Sequence, residues 1–279
     1  MKTGCIIQAR NTSSRLPKKV MKYLPFDSNI TVLEHVIARV KKSQNVDTII
    51  IATTTNSDDD SICELAHKLG VKYFRGSEDD VLSRYYLAAK ENKLDQVIRI
   101  TSDCPCLDSE LLDELILFHR ENRFDYSSNS YTRTLPHGMD AEIMEFRLLE
   151  EAYENANTKF EKEHVTPYIY STNRDKFNIG IFTKNYSENV PEIRVTLDTY
   201  DDYMLLGAVF DYLRDTPNFG VDDIINLFEN KPWLYKINSS IVQKKKLDTF
   251  ELQKEEAIKV LKKQELELVA NFLSDNNES

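Results

Sequence analysis

Four cations fall within ten residues near the start of the chain: Arg10, Arg15, Lys18 and Lys19, in the stretch GCIIQARNTSSRLPKKV over residues 4–20. Guanidinium groups make bidentate, charge-assisted bonds to phosphate oxygens, and an ammonium adds a point charge. The stretch lacks the glycines and the GK[ST] ending of a P-loop, so a phosphate here has to be held mainly by side chains. A solvated basic loop is the plainer alternative. Two aspartates form a second group, Asp103 in RITSDCP and Asp198 in RVTLDTYDD. Singly, each reads as a helix N-cap or turn residue. Together they fit a metal site, because two carboxylates ~4 Å apart repel by ~4 kcal/mol at an effective dielectric of ~20, and a divalent cation reverses that sign.

Further residues could line the same site. Asp140 and Glu142 alternate in HGMDAEIM, which puts them on one face of a strand, either to bind hydroxyls or a second cation or to form an exposed polar edge. His164 in EKEHVTPY is a lone histidine, a type that more often makes a structural hydrogen bond than acts as a base. Arg194 precedes Asp198 by four residues and alternates with apolar neighbours, so it could point into the same cleft; His137, in a loop, is a weaker candidate. Arg75, Gly76, Asp80 and Arg84 follow a short strand.

These residues need a scaffold, and the pattern supplies one. GCIIQ, VDTIIIATTT, VKYFRG and LDQVIRITSDCP read as strands. TVLEHVIARVKKS, with Thr31 available as its cap, NSDDDSICELAHKLG, closed by Gly70, and EDDVLSRYYLAAKEN read as helices between them. Strand and helix alternate as in βαβ units, which predicts an α/β fold with a doubly wound, mostly parallel sheet and ligands at the carboxyl ends of its strands. Later, FDYSSNS, GMDAEIMEF, FNIGIF and EIRVTLDT read as strands of a mixed extension, with helices over RLLEEAYENA and EKEHVTPYIYS. From about Lys236 the chain becomes strongly charged, and DTFELQKEEAIKVLKKQELELVANFLSD reads as one long amphipathic helix with Ile258, Leu261, Leu268, Val269 and Phe272 near one face. The last few residues read as disordered.

The net charge of −10 argues against a nucleic-acid or anionic-membrane partner, which makes the N-terminal cation cluster a local device. The four cysteines lack zinc-site spacing and read as reduced, buried hydrophobes. No apolar run approaches the ~20 residues of a membrane span and the first strand lacks a signal-peptide cleavage pattern, so a cytoplasmic protein is expected.

The opening motif resembles the signature of the bacterial sugar-acid cytidylyltransferases, the family of the 3-deoxy-manno-octulosonate enzymes, in which a strand is followed by A-R-x-x-S-[ST]-R-L-P-G-K. Arg10, Ser13, Ser14, Arg15, Leu16, Pro17 and Lys19 match it; Lys18 stands where the family usually has glycine, which matters if the backbone there takes φ > 0. FRGSEDDVLSRYY, RITSDCPCLD, LPHGMDAEIM, EKEHVTPYIY, RVTLDTYDDYMLL and KPWLYKINSS are similar, in order, to the branch of spore coat polysaccharide proteins. The resemblance implies a fold of the nucleotide-diphospho-sugar transferase type over residues 1–236, with a charged helical tail over 237–279. It implies transfer of CMP from CTP to a sugar acid or other surface-glycan precursor with release of pyrophosphate. Asp103 and Asp198 would hold Mg²⁺, and Arg10, Arg15 and Lys19 would stabilise the departing pyrophosphate. Ser13, Ser14, Arg75, Gly76, Asp80 and Arg84 would bind the nucleotide, and Asp140, Glu142, His164 and Arg194 the acceptor. Such enzymes are often dimeric, so a homodimer is expected. Two other readings are a nucleotide-sugar-dependent glycosyltransferase, against which SDC offers one aspartate instead of D-x-D, and a catalytically silent sugar-nucleotide-binding protein.

Overall fold

β1 (Thr3–Gln8) and β4 (Gln96–Thr101) lie side by side at the middle of a seven-stranded sheet, and burial on both faces is why each is rich in apolar residues, with Arg99 the one charged residue in the two strands. The structure is a computed structural model that describes residues 1–241 and 249–275. In the first half, β1 is followed by α1 (Val32–Val40), β2 (Thr48–Thr54), α2 (Asp60–Lys68), β3 (Lys72–Gly76), α3 (Val81–Glu91), β4 and α4 (Ser109–Glu121). Thr31 caps α1 in a reciprocal box with Glu34, and Gly70, at φ 65°, turns the chain out of α2 in a left-handed conformation that glycine adopts without strain.

The second half adds β5 (Tyr126–Ser128), β6 (Glu142–Glu145), α5 (Phe146–Asn155), α6 (Lys159–His164), β7 (Ile179–Ile181), α7 (Tyr200–Tyr212), α8 (Val221–Asn230) and α9 (Leu234–Ile237). The strand order is β3-β2-β1-β4-β6-β5-β7, parallel except for β6, which runs against both neighbours. One core lies between the sheet and α1, α2, α4, α7 and α8, and the other between the sheet and α3 and α5. The chain is thus α/β with a doubly wound, mostly parallel, mixed sheet, as its pattern predicts.

Three expectations need correction. EKEHVTPYIYS is not one helix: α6 ends at His164, Val165 takes φ 72°, and Tyr168–Thr172 forms a separate π-helical turn. EIRVTLDT is not a strand of the sheet: it makes one isolated bridge, His137 with Arg194, in which His137 N–H donates to the Ile193 carbonyl and Val195 N–H to the His137 carbonyl, and Leu197 N–H donates to the Asp103 carbonyl. Its apolar residues, Ile193, Val195 and Leu197, are buried, which gives it a strand-like alternation without a ladder. The C-terminal region is two helices, α10 (Phe250–Lys263) and α11 (Glu267–Asp275), because Glu265 takes φ 60° between them. The disorder expected of the last few residues concerns 276–279, outside the described residues. Among those described, no helix is long and apolar enough to cross a membrane.

Candidate active site

The loop after β1 folds without glycine because side chains do the work of one. Asn11 is buried; its backbone N–H donates to Asp59 Oδ1 at 2.7 Å and its Nδ2 to the Asp58 carbonyl at 2.6 Å. Its own carbonyl accepts from the N–H groups of Ser13 and Lys18, both at 3.0 Å. Leu16 and Val20 sink into the core below. Lys18 sits at φ 53°, ψ 30°, the left-handed region, so the position the family usually fills with glycine is the strained one here. The result displays Arg10, Ser13, Ser14, Arg15 and Lys19 along a cleft of about 430 Å³ at the carboxyl ends of the central strands. Arg10 is held by Glu78 at 3.2 Å, and Thr12 Oγ1 donates to the same carboxylate at 2.7 Å.

Asp103 and Asp198 meet across this cleft. Lys19 Nζ donates to Asp103 Oδ2 at 2.7 Å and to Asp198 Oδ1 at 2.9 Å, and Arg15 Nη2 lies 3.0 Å from the same Asp198 oxygen. Burial alone would raise the Asp103 carboxyl, but the Lys19 ammonium beside it and their hydrogen bond lower it to about 2. Burial would likewise lower Lys19, and the two carboxylates overcome this and raise it, so Lys19 and Asp103 both stay ionised at neutral pH. Asp198 is reached through a loop rather than a strand end. Leu197 N–H is bonded to the Asp103 carbonyl at 2.8 Å, which fixes the two aspartates relative to one another. Paired carboxylate oxygens of this kind suit a hard divalent cation shared with substrate phosphates. Of the remaining candidates, Arg84 and His164 also line the cleft.

Several candidates lie elsewhere. Arg75 turns away to the β2–α2 connection, donating to the Thr54 and Asn56 carbonyls at 2.8 and 2.7 Å and pairing with Asp60 at 2.7 Å. Asp80 caps α3 through Ser83 N–H, and Gly76 packs on the stem of Arg84, where a Cβ would come within 2.9 Å of its Cγ. Asp140 precedes β6 and is taken bidentately by Arg133 at 2.7 and 3.1 Å. Glu142 is buried and bound by Arg99 and Tyr126, so the two acidic residues do not share an open face. Arg194 stands behind Asp198: its Nη2 donates to Asp198 Oδ2 at 2.9 Å, its Nε to Asp202 Oδ1 at 2.9 Å, and its Nη1 lies 2.9 Å from His137 Nδ1. It orients the carboxylate instead of facing the cleft.

A cytidylyltransferase family model matches residues 4–265, nearly the whole chain. The chain belongs to the cytidylyltransferase family. It is 40% identical over 250 residues to an uncharacterized protein of Methanocaldococcus jannaschii, covering 88% of this chain and 97% of that one. It is 32% identical over 232 residues to the spore coat polysaccharide biosynthesis protein SpsF of Bacillus subtilis, covering 81% and 94%. A solved cytidylyltransferase of Leptospira borgpetersenii superposes with a TM-score of 0.79 at 33% identity, covering 87% of this chain and all of that one. The fold is accordingly of the nucleotide-diphospho-sugar transferase type, and the glycosyltransferase and silent-binder readings are set aside.

In this cytidylyltransferase the cleft and its support also include residues that the motifs did not single out. Asp202 is fully buried, accepts from Arg194 and Asn238, and caps α7 with Thr199 while receiving the Asp198 N–H at 3.0 Å. Its place was legible as the fourth residue of TYDD, where a capping box puts an acidic side chain. Gln8, Glu78, Lys159 and Glu163 line the cleft as well. Gln8 is visible in sequence only as a polar interruption at the end of an apolar strand.

Proposed function

We propose that this cytidylyltransferase transfers CMP from CTP to an oxygen of a sugar acid or related surface-glycan precursor and releases pyrophosphate. The observation that carries the reading is the meeting of Asp103, Asp198 and Lys19 on a cleft whose rim is the cationic loop. The acceptor oxygen forms a bond to the α-phosphorus as the bond to the β-phosphate oxygen breaks. Arg10 and Arg15 bind the triphosphate, and with Lys19 they neutralise the charge that builds on the leaving pyrophosphate. Ser13 and Ser14 add hydrogen bonds at the same rim. Asp103 and Asp198 would hold Mg²⁺, which would supply Lewis-acid charge neutralisation at the phosphates. Arg194 and Asp202 act as positioning residues for Asp198, and His164 faces the acceptor.

The polysaccharide role in the name of the Bacillus subtilis relative supports an acceptor of the surface-glycan class. We assign the chemistry to residues 1–236 and self-association to 237–279, in a cytoplasmic homodimer. Pyrophosphate release with CTP, Mg²⁺ and a panel of sugar acids tests the reading. CTP should be preferred to ATP, GTP and UTP, and chelation should stop the reaction. Release that requires another nucleotide would overturn it.

A further inference from the structure

One side chain in the cleft has its orientation dictated from behind. Gln8 ends β1 and lines the cleft. Its Oε1 accepts from Arg99 Nη2 at 3.3 Å. An amide's oxygen and nitrogen exchange places by a half-turn, and its neighbours decide between the two orientations. Arg99 carries donors only, so Gln8 has to offer it the oxygen. The NH₂ group of Gln8 is left as a donor for the cleft.

Arg99 is held firmly enough to make this decision. It faces Glu142 directly across the β4–β6 pair, with Nη1 2.5 Å from Oε1, and the other Glu142 oxygen accepts from Tyr126 OH at 2.8 Å. Burial would disfavour the charged guanidinium, but the Glu142 carboxylate keeps it protonated. Tyr126, Glu142 and Arg99 thus form a buried relay that ends at Gln8.

A second donor belongs to the same cleft. Arg84, on α3, is 2% exposed, and its Nε and Nη1 have no partner among the described residues. Buried guanidinium N–H groups left without acceptors are costly unless a ligand supplies them. The triphosphate is already faced by Arg10, Arg15 and Lys19. Gln8 and Arg84 come from β1 and α3, in the half of a doubly wound sheet that seats a nucleotide. Cytosine presents two neighbouring acceptors, O2 and N3, on one edge, whereas uracil carries a hydrogen on N3.

We propose that Gln8 and Arg84 form a donor-only subsite that binds the O2–N3 edge of cytosine, with Arg99 and Glu142 as the residues that position Gln8. The inference rests on CTP being the nucleotide, as proposed above. Isothermal titration of CTP, UTP and inorganic tripolyphosphate into wild-type protein, Gln8→Met and Arg84→Lys tests it. Wild type should prefer CTP to UTP. Gln8→Met should weaken CTP about three- to tenfold, narrow the gap to UTP and leave tripolyphosphate unchanged, as expected for one lost hydrogen bond. Arg84→Lys should act in the same direction. Glu142→Gln should weaken CTP and couple non-additively with Gln8→Met in a double-mutant cycle, which general destabilisation of the strand would not produce. If Gln8→Met does not fold, Gln8→Glu replaces it, because the carboxylate keeps the partner of Arg99 and removes the donor. CTP binding unchanged in these variants, or an equal loss of CTP and tripolyphosphate, overturns the subsite. A wild-type protein that binds tripolyphosphate but shows no preference for CTP overturns the nucleotide reading instead.

Discussion

Lys19 Nζ lies between Asp103 and Asp198, 2.7 Å from one carboxylate and 2.9 Å from the other. One ammonium therefore cancels the repulsion of two acids brought together from distant parts of the chain, where a divalent cation would do the same. Replacing either acid by asparagine keeps its shape and removes half of the negative charge. Asp103→Asn and Asp198→Asn should each lower turnover more than tenfold, a loss above ~1.4 kcal/mol in the barrier, with the circular dichroism spectrum unchanged. A variant that keeps more than a tenth of the wild-type rate of pyrophosphate release would remove that aspartate from the metal pair.

The same geometry makes Lys19 a competitor for the cation. Before nucleotide arrives, metal entry has to displace an ammonium bonded to both carboxylates, and charge-assisted bonds of this type are worth ~1.5–3 kcal/mol. Lys19→Met should therefore bind Mn²⁺ about tenfold more tightly in the absence of nucleotide, as read by electron paramagnetic resonance, while turnover falls for want of the phosphate contact. Equal or weaker Mn²⁺ binding would show that Lys19 does not guard the pair.

In the phosphate loop, two neighbouring cations should behave differently. Arg15 reaches into the cleft, so Arg15→Ala should weaken CTP binding by about ten- to hundredfold. Lys18 is exposed and left-handed, so Lys18→Gly should leave affinity and turnover nearly unchanged and raise stability by ~0.5–1 kcal/mol in urea melts as the strain is relieved. A costly Lys18→Gly beside a neutral Arg15→Ala would reverse the roles assigned to them.

Asp202 should carry a pH signature. Burial would raise its carboxyl, but the Arg194 guanidinium and the bonds from Asn238 and the Asp198 N–H hold it below the usual carboxylate range. A depressed folded-state value contributes stability that is complete above the unfolded value, near ~4, and is lost as the pH falls through the folded one. Asp202→Asn should cost ~3 kcal/mol at pH 7, the typical result of stranding the partner of a buried ion pair. The gap to wild type should be flat from pH 5 to 8 and should shrink below about pH 4. A gap that is independent of pH down to 2 would mean that the charge of Asp202 contributes nothing.

The sheet and the loop were legible because each rests on local signals: runs rich in apolar and β-branched residues for β1, β2 and β4, and a motif in which Arg10, Arg15 and Lys19 stand at fixed spacing. Asp103 and Asp198 were legible for the same reason, although the chain reaches Asp198 through an irregular segment whose buried alternation looked like a strand. What stayed hidden depends on pairs. Whether Arg194 faces a substrate or braces Asp198 is decided by Asp202 and His137. Whether Glu142 is open or buried is decided by Arg99 and Tyr126. Arg75 follows the ligand edge in sequence, yet Asp60 and two carbonyls claim it. Periodicity reports which face a residue occupies, and it is silent on which partner reaches that residue first.

The C-terminal helices supply the last prediction. Phe250 and Leu268 are 74% and 88% exposed, on the two helices of a pair whose Ala270 is buried. Amphipathic helices gain most of their stability by covering the apolar face, and a second copy of the chain in two-fold arrangement is the commonest cover for a soluble protein. Fully burying a side chain of this size is worth ~1.5–3 kcal/mol, and in a symmetric pair each substitution counts twice. Leu268→Glu and Phe250→Glu should therefore shift a homodimer toward monomer by light scattering at micromolar concentration, while pyrophosphate release per chain persists, because the proposed active-site cleft is lined by residues between Gln8 and Asp198. A wild-type protein that runs as a monomer would remove the homodimer, and a double variant that stays dimeric would move the interface away from these helices.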